Sequence, residues 1–358
     1  MYRAGLRELR LIYSSKPKWY FRKAENTLKS IFESYLTLFG VQKFLEGLAS
    51  PAFFDALAAA AHLDDIGGGA TTIIAVSLKN YLRPEMGLAM VGGKRLQGFR
   101  VPAELDLLAE RFGFDEELVS RLKYSSRMVA KVDTAAIQDG FQLYLHLMVV
   151  SSNADWVVIQ QGIKPMMNLV RRYHWISWNV RSFVDEPHSG IVSASREDIV
   201  LDMTDKESRE ARKVCVELVN NDLQKLRKIL SRPMKGQLTI TDFDGEPKKK
   251  ILSLPKIKWS SILNAHKSSP NNFEELLSLR GVGPATIRFL AAASAELYGV
   301  VPSLRDPALL FDEIVSGVAD DRKLYELIEA IKESSISLEE KKKAINRVSN
   351  IFSTLDLS

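Results

Sequence analysis

Apolar residues recur at helical spacing through most of the first third of the chain. Residues 16–63 carry large apolar side chains three or four positions apart, as a helix with one buried face requires. Similar spacing between polar or glycine breaks predicts three more helices in this region, over residues 70–81, 102–112 and 115–129. A short apolar run at residues 87–91 predicts one strand among them.

The pattern changes to strict alternation in the middle of the chain. Residues 141–150 (FQLYLHLMVV) alternate and are rich in aromatic and aliphatic side chains, which predicts a strand. A polar turn at 151–155 separates it from a return strand at 156–162. A second hairpin is expected from residues 190–193 and 198–203, and a long helix from 206–230. The chain is therefore expected to be an α+β protein, mainly helical, with a small central antiparallel or mixed sheet.

Length and composition set the organisation expected of this chain. With 358 residues, of which 46% are hydrophobic, it can bury a full core and form more than one domain. We predict a helical region at 1–130, a central α+β region at 131–232, a basic linker at 233–258 and a helical module at 259–358. With no apolar run long enough for a signal peptide or a bilayer span, a soluble cytoplasmic protein without a membrane partner is expected.

Charge and cysteine content narrow the function classes. The net charge of +5 permits nucleic-acid binding without requiring it. The single cysteine, Cys215, excludes an internal disulfide and a cysteine-based zinc site. No zinc-protease motif or nucleophile elbow is present. Gly92-Gly93-Lys94-Arg95 lacks the first glycine and the Ser or Thr of a phosphate-binding loop, although Lys94, Arg95 and Arg100 are available to nucleic acid.

The segment at 276–290 (LLSLRGVGPATIRFL) is similar to a helix-hairpin-helix. Two glycines one residue apart allow a sharp turn, and the proline suits the first turn of a second helix. The free N–H groups at such a helix start form an anion site, so backbone binding of DNA or RNA is expected. The residues expected to contact phosphate are Gly281, Val282, Gly283, Ala285, Thr286 and Arg288. The alternative is an ordinary helical hairpin whose glycines serve packing only.

A run of lysines precedes this module. Lys248, Lys249 and Lys250 lie among prolines and glycines, a composition typical of a linker. Their ammonium groups either follow phosphates, which would make DNA affinity depend on salt, or are simply solvated.

Polar motifs cluster between residues 131 and 188. If the central hairpin pairs as predicted, Asp139 and Gln142 lie near Gln160 and Gln161. Asp133, Asp139 and Glu186 would then hold Mg²⁺ or Mn²⁺, cations that prefer oxygen ligands. The residues expected to orient water or stabilise charge are Lys131, Gln160, Gln161 and His174, and those expected to contact phosphate are Arg171 and Arg172.

Each of these residues also has a structural interpretation. Asp133 suits a helix N-cap, and Asp139-Gly140 suits a turn. His146, within an alternating strand, is expected to be a packed residue. Asp306 follows the hairpin at the spacing of the catalytic aspartate in helix-hairpin-helix DNA glycosylases, but Asp306-Pro307 equally suits a helix start.

Several of these motifs together resemble one family. KVDTAAIQDGFQLY, VVIQQGI, RRYHW and EPH, with the late GVGP hairpin and Arg305-Asp306-Pro307, are similar to the archaeal and bacterial family called domain of unknown function 763. The resemblance runs from Gly5 to about Asp306 and implies no activity. The sequence thus favours a DNA-binding protein of repair or genome maintenance, with metal-dependent phosphodiester cleavage as the sharper hypothesis. A non-enzymatic DNA-binding or scaffold protein and a glycosylase are the alternatives.

Overall fold

The computed structural model describes residues 16–231, 238–240, 250–252, 257–310, 313–314 and 322–352. Its helices are α1 Lys18–Ala49, α2 Pro51–Ala60, α3 Gly69–Tyr81, α4 Val101–Phe112, α5 Glu116–Lys131, α6 Arg209–Asn221, α7 Leu223–Ser231, α8 Trp259–Ser268, α9 Phe273–Ser278, α10 Pro284–Tyr298, α11 Arg322–Glu333 and α12 Leu338–Phe352. Its strands are β1 Leu88–Lys94, β2 Ile137–Gln138, β3 Gln142–Ser151, β4 Trp156–Lys164, β5 Leu169–Ile176, β6 Gly190–Ser193, β7 Leu201–Asp202, β8 Leu238–Ile240 and β9 Lys250–Leu252.

A five-stranded antiparallel sheet forms the centre, in the order β1-β3-β4-β5-β6. The short strands pair separately, β2 with β7 and β8 with β9. This arrangement is the mainly helical α+β class expected from the sequence. None of the helices in the described residues is both long and apolar enough to cross a membrane.

Helices cover both faces of the sheet. Helices α1, α2, α3, α11 and α12 pack on the face that carries Val157 and Ile159. Helices α4 to α10 pack on the opposite face, which carries Val158 and Trp175. Because successive strand residues point to opposite faces, a strand covered on both sides needs apolar residues at nearly every position. The run in β3 from Leu145 to Val150 meets that need, interrupted only by His146.

The predicted hairpin at 141–162 is present, but its register differs from the expectation. Gln142 lies opposite Ile163, so it does not reach Gln160 or Gln161. Instead Gln160 lies opposite His146 on one side and opposite Tyr173 on the other.

The second predicted hairpin is wrong. Strand β6 pairs with β5, and β7 pairs with β2, so the two segments never form a ladder with each other. The long helix expected over 206–230 is divided in two at Asp222. The segment at 132–136, where Asp133 suggested an N-cap, is instead a π-helical turn that continues α5.

Candidate nucleic-acid interface

The predicted polar centre forms separate buried networks, the first of which surrounds Arg171. Its guanidinium donates to Asp139 Oδ2 at 2.9 Å and to Asp306 Oδ2 at 2.6 Å. Tyr173 also donates to Asp139, at 2.5 Å, and the Phe141 N–H donates to its other oxygen. Arg171 is fully buried, so it is not available to phosphate in this conformation and the phosphate contact expected of it is not supported.

Asp139 and Asp306 also organise their own turns. The contact from Phe141 closes the expected Asp139-Gly140 turn, with Gly140 at a φ of +81°. Asp306 accepts from the Ala308 N–H at 2.9 Å, but no helix begins at Pro307 in the described residues 307–310.

The second network holds Asp133 between two rings. The Trp175 indole donates to Asp133 Oδ2 at 3.1 Å, and His188 Nε2 lies 2.5 Å from Oδ1. Burial raises the pKa of the Asp133 carboxyl, and these two partners oppose the rise. Each oxygen of the Asp133 carboxylate thus has a hydrogen-bond partner within the protein.

The three predicted metal ligands are therefore in different surroundings. Asp133 and Asp139 are buried and bonded to protein donors, whereas Glu186 is exposed. Across the described part of the chain, no group of three or more His, Cys, Asp or Glu side chains is arranged to hold a metal ion. Mg²⁺ or Mn²⁺ binding by these residues stays a prediction.

The third network lies on the opposite face of the sheet. Arg172 donates to Asp55 of α2 at 2.7 Å and to His174 Nε2 at 2.6 Å. His174 Nδ1 lies 3.1 Å from the Leu48 carbonyl, so both ring nitrogens have partners. Burial lowers the pKa of His174 well below its usual value, which keeps the ring neutral. Arg172, too, is buried away from any phosphate, and this network fastens α2 to the sheet.

The two glutamines of the predicted site are also buried. Neither side-chain polar atom of Gln160 has a hydrogen-bond partner among the described residues, and the Gln161 oxygen has none either. Gln160 sits beside His146 in register, on the face that leads toward α5. Water molecules or polar groups of a ligand are the usual partners of buried polar atoms that have no partner within the protein.

The predicted helix-hairpin-helix segment consists of α9, a five-residue loop and α10. Gly281 has a φ of +89°, which favours glycine, whereas Gly283 is extended and a Cβ there would contact nothing within 4 Å. Within the described structure, the N–H groups of Gly281, Gly283, Ala285 and Thr286 have no hydrogen-bond acceptor. The side chains of Val282 and Thr286 are buried, so they anchor the loop rather than present it.

Two side chains from elsewhere hold this hairpin. Lys131, the last residue of α5, donates to the carbonyls of Leu277, Leu279 and Val282 at 2.5–3.1 Å. Burial lowers the pKa of Lys131 to about 8, and the three carbonyl oxygens stabilise its charged form. Arg288 donates to Gln138, whose amide in turn donates to the Pro284 carbonyl. Lys131 therefore positions the loop.

A cleft of about 490 Å³ opens beside Lys131. Four cationic side chains line it, together with Phe99 and Tyr144. The four are Arg95, Lys123, Arg127 and Lys131. Ser126 of α5 and His146 of β3 form its floor, with Ser126 Oγ 2.8 Å from His146 Nε2.

The sequence alone identified only part of this surface. Arg95 is expected near nucleic acid and His146 is expected to be packed, whereas no binding role is predicted for Ser126, Arg127 or His146. The one available signal was the alternation of β3, which predicts His146 on the same face as Met148 and Val150. Lys248 and Lys249 lie outside the described residues, and the side chain of Lys250, in β9, is not described.

Comparison with known proteins places the chain in a family without a known activity. No curated protein and no solved structure matched it. A family model described as a protein of unknown function (DUF763) matches residues 5–313. Because that match spans most of the chain, the protein belongs to the DUF763 family.

Proposed function

We propose that this protein binds DNA through the sugar–phosphate backbone, with the hairpin loop and the basic cleft forming one interface, in DNA repair or genome maintenance. The observation that carries the proposal is Lys131, which bonds to the hairpin carbonyls and lines the cleft. One side chain thus joins a row of free backbone N–H groups to a cationic groove. Both features suit phosphate and neither reads base sequence.

The hairpin supplies the first half of the interface. The N–H groups of Gly283 and Ala285 lie at the start of α10, where the helix dipole favours an anion, and that of Gly281 lies in the loop just before it. The exposed Arg280 adds a cation to the same loop. This is the helix-hairpin-helix mode of DNA binding, and we extend it to this chain on these contacts.

The cleft supplies the second half. Arg95 and Arg127 are exposed, and none of the described carboxylates pairs with either guanidinium. Cations without a carboxylate partner increase affinity by releasing counterions from DNA. Lys248, Lys249 and Lys250 lie outside the described side chains, and a contribution from them to salt-dependent affinity stays a prediction.

Metal-dependent cleavage is the enzymatic form of the same proposal. It requires Asp133 and Asp139 to exchange protein donors for a cation. Binding without cleavage needs no such change, so it is the form that the described contacts support best.

The test compares two glycine-to-alanine variants. Gly283→Ala adds a methyl group at the hairpin surface without an internal clash, and Gly69→Ala adds one on α3 in ordinary contact with Ile66. The added methyl group keeps a phosphate away from the N–H groups of the loop, so their charge-assisted hydrogen bonds to it are lost. Duplex binding by Gly283→Ala should therefore weaken by roughly tenfold or more, and to a similar extent for unrelated sequences. Fluorescence anisotropy with labelled single-stranded, duplex, nicked and branched DNA measures it. Equal affinity of both variants, or no binding by the wild type, contradicts the proposal.

A further inference from the structure

The cleft combines three kinds of chemistry in about 490 Å³, a volume in the range of small-molecule sites. It has aromatic walls, unpaired cations at its mouth and a polar floor. Each of these groups selects a different part of a ligand.

The aromatic walls favour a planar ring. Phe99 is 84% exposed at the tip of the 3-10 turn Arg95–Arg100. Tyr144, on β3, has the Lys94 ammonium 4.9 Å and the Arg95 guanidinium 5.5 Å from its ring centroid. An exposed phenylalanine beside an aromatic ring and cations is typical of a surface on which nucleobases stack.

The cations favour an anion. Lys123 is paired with Asp106, and Lys131 is committed to the hairpin carbonyls. Arg95 and Arg127 are left without a carboxylate partner in the described residues, and a guanidinium can bind phosphate through two parallel N–H groups.

The floor holds one buried nitrogen without a partner, and the edge of a base reaches it once the turn Arg95–Arg100 shifts away from His146. His146 is 5% exposed, its Nε2 bonds to Ser126, and its Nδ1 has no partner in the described residues. Burial lowers the pKa of His146 to about 4, so the ring is neutral and Nδ1 is either a single donor or a single acceptor. Gly98 allows the turn to lie against this ring, since a Cβ there would come within 3.3 Å of the His146 Cβ.

We propose that the cleft binds one nucleotide, with its base against Phe99 and Tyr144, the base edge at His146, and its phosphate at Arg95 and Arg127. This inference rests on the proposed function when the nucleotide belongs to a DNA strand. A free nucleotide has the same chemistry and is the other source. Ser126 and His146 do not form a hydrolytic pair, since no described residue orients Nδ1 as nucleophilic catalysis requires.

The experiment uses the full chain and three probes. They are deoxyadenosine monophosphate, a single-stranded oligonucleotide carrying a fluorescent adenine analogue, and an abasic strand of equal length. Titration calorimetry measures affinity for each, and base fluorescence reports stacking. We expect the base-containing strand to bind roughly tenfold more tightly than the abasic strand, with quenched fluorescence, because stacking on aromatic side chains adds to backbone binding.

Variants assign the effect to the cleft. His146→Leu and Phe99→Ala should each reduce the preference for bases to less than about threefold. Phe99 is exposed, so its variant tests the site even if His146→Leu fails to fold. Arg121→Ala, on α5 but outside the cleft lining, should behave as the wild type.

The outcomes separate this inference from the proposed function. Equal binding of base-containing and abasic strands, with Gly283→Ala weakening both, overturns the nucleotide site and leaves backbone binding supported. Binding of the free nucleotide alone, lost in His146→Leu, supports the site and contradicts the DNA interface. No binding of any probe overturns both.

Discussion

The sheet buries two histidines, one on each face, and they differ in how many of their ring nitrogens have hydrogen-bond partners. His174 lies between Arg172 and the Leu48 carbonyl, and each ring nitrogen has a partner. His146 bonds to Ser126 through Nε2 and leaves Nδ1 without a partner in the described residues. Both are at most 5% exposed, and burial lowers the pKa of both.

The difference indicates which histidine is structural and which can take a ligand. A buried polar group costs free energy unless it is hydrogen-bonded, so a complete set of partners is what a packed core requires. Both ring nitrogens of His174 have partners, and His174 is not among the residues that line the cleft beside Lys131. His146 has an incomplete set and lines a cleft with free cations. We therefore assign His174 to stability and His146 to binding.

The largest effect should follow from opening the network of Asp55, Arg172 and His174. Asp55→Ala leaves the Arg172 guanidinium buried without its carboxylate. Breaking a buried pair from one side costs about 3–5 kcal/mol, so the free energy of unfolding should fall by that amount. Urea denaturation measures it. A loss below about 1 kcal/mol would show that solvent reaches Arg172, against the closed arrangement.

Asp139→Asn breaks a buried ion pair on the other face of the sheet, and it also tests metal binding by Asp139. Because Asp139 pairs with the buried Arg171, we expect a loss of about 3 kcal/mol, while Asp306 still contacts the guanidinium. Urea denaturation measures the loss, and cleavage of labelled DNA with Mn²⁺ is assayed in parallel. Unchanged stability together with abolished cleavage contradicts the structural role and supports Asp139 as a metal ligand.

The dependence of the free energy of unfolding on acidic pH should show that buried His146 is neutral. Its folded pKa of about 4 lies below the usual 6.5, so between these values the unfolded chain binds the additional proton. Stability should therefore fall as the pH falls from 6.5 to 4, by about 3 kcal/mol, at about 1.4 kcal/mol per pH unit. Unfolding curves of the wild type and His146→Leu across this range measure it. The variant should lose this part of the slope, and an identical slope would mean that His146 is already solvated.

The smallest effect concerns His146 at neutral pH. His146→Leu removes one orphaned nitrogen and leaves only the Ser126 hydroxyl to find another hydrogen-bond partner. We expect a change of less than about 1 kcal/mol, since removing an unsatisfied polar group offsets the lost bond. Thermal or urea unfolding at pH 7 measures it. A cost near that of Asp55→Ala would assign His146 to the core and remove the contrast with His174.

The sequence predicts the local elements of this fold better than its long-range contacts. Alternation over residues 141–150 predicts β3, and the polar turn after it predicts β4. The pairing of β6 with β5 has no such signal, because 13 residues without regular alternation separate Ile176 from Gly190. The closeness of residues 190–193 and 198–203 in sequence predicts a hairpin, but β6 pairs with β5 and β7 pairs with β2 instead.

The same limit applies to the candidate site. Arg171 and Arg172 are adjacent on a strand, so they point to opposite faces and meet carboxylates 32 and 117 residues away. No local pattern distinguishes such a buried pair from a basic surface motif. Ser126 and His146, likewise, meet only because α5 packs on β3. The hairpin loop, by contrast, is a local structure, and its glycines and proline predict it directly.

The central claim, that the hairpin and the cleft contact phosphate together, is tested most directly by the salt dependence of duplex affinity. Each lost phosphate contact should reduce the slope of log affinity against log salt by about 0.9. We predict a reduction of at least about 0.9 for Arg95→Ala combined with Arg127→Ala, because the two guanidiniums together hold at least one phosphate, and none for Arg121→Ala. Fluorescence anisotropy over a salt series measures both slopes. An unchanged slope in the double variant would contradict the account.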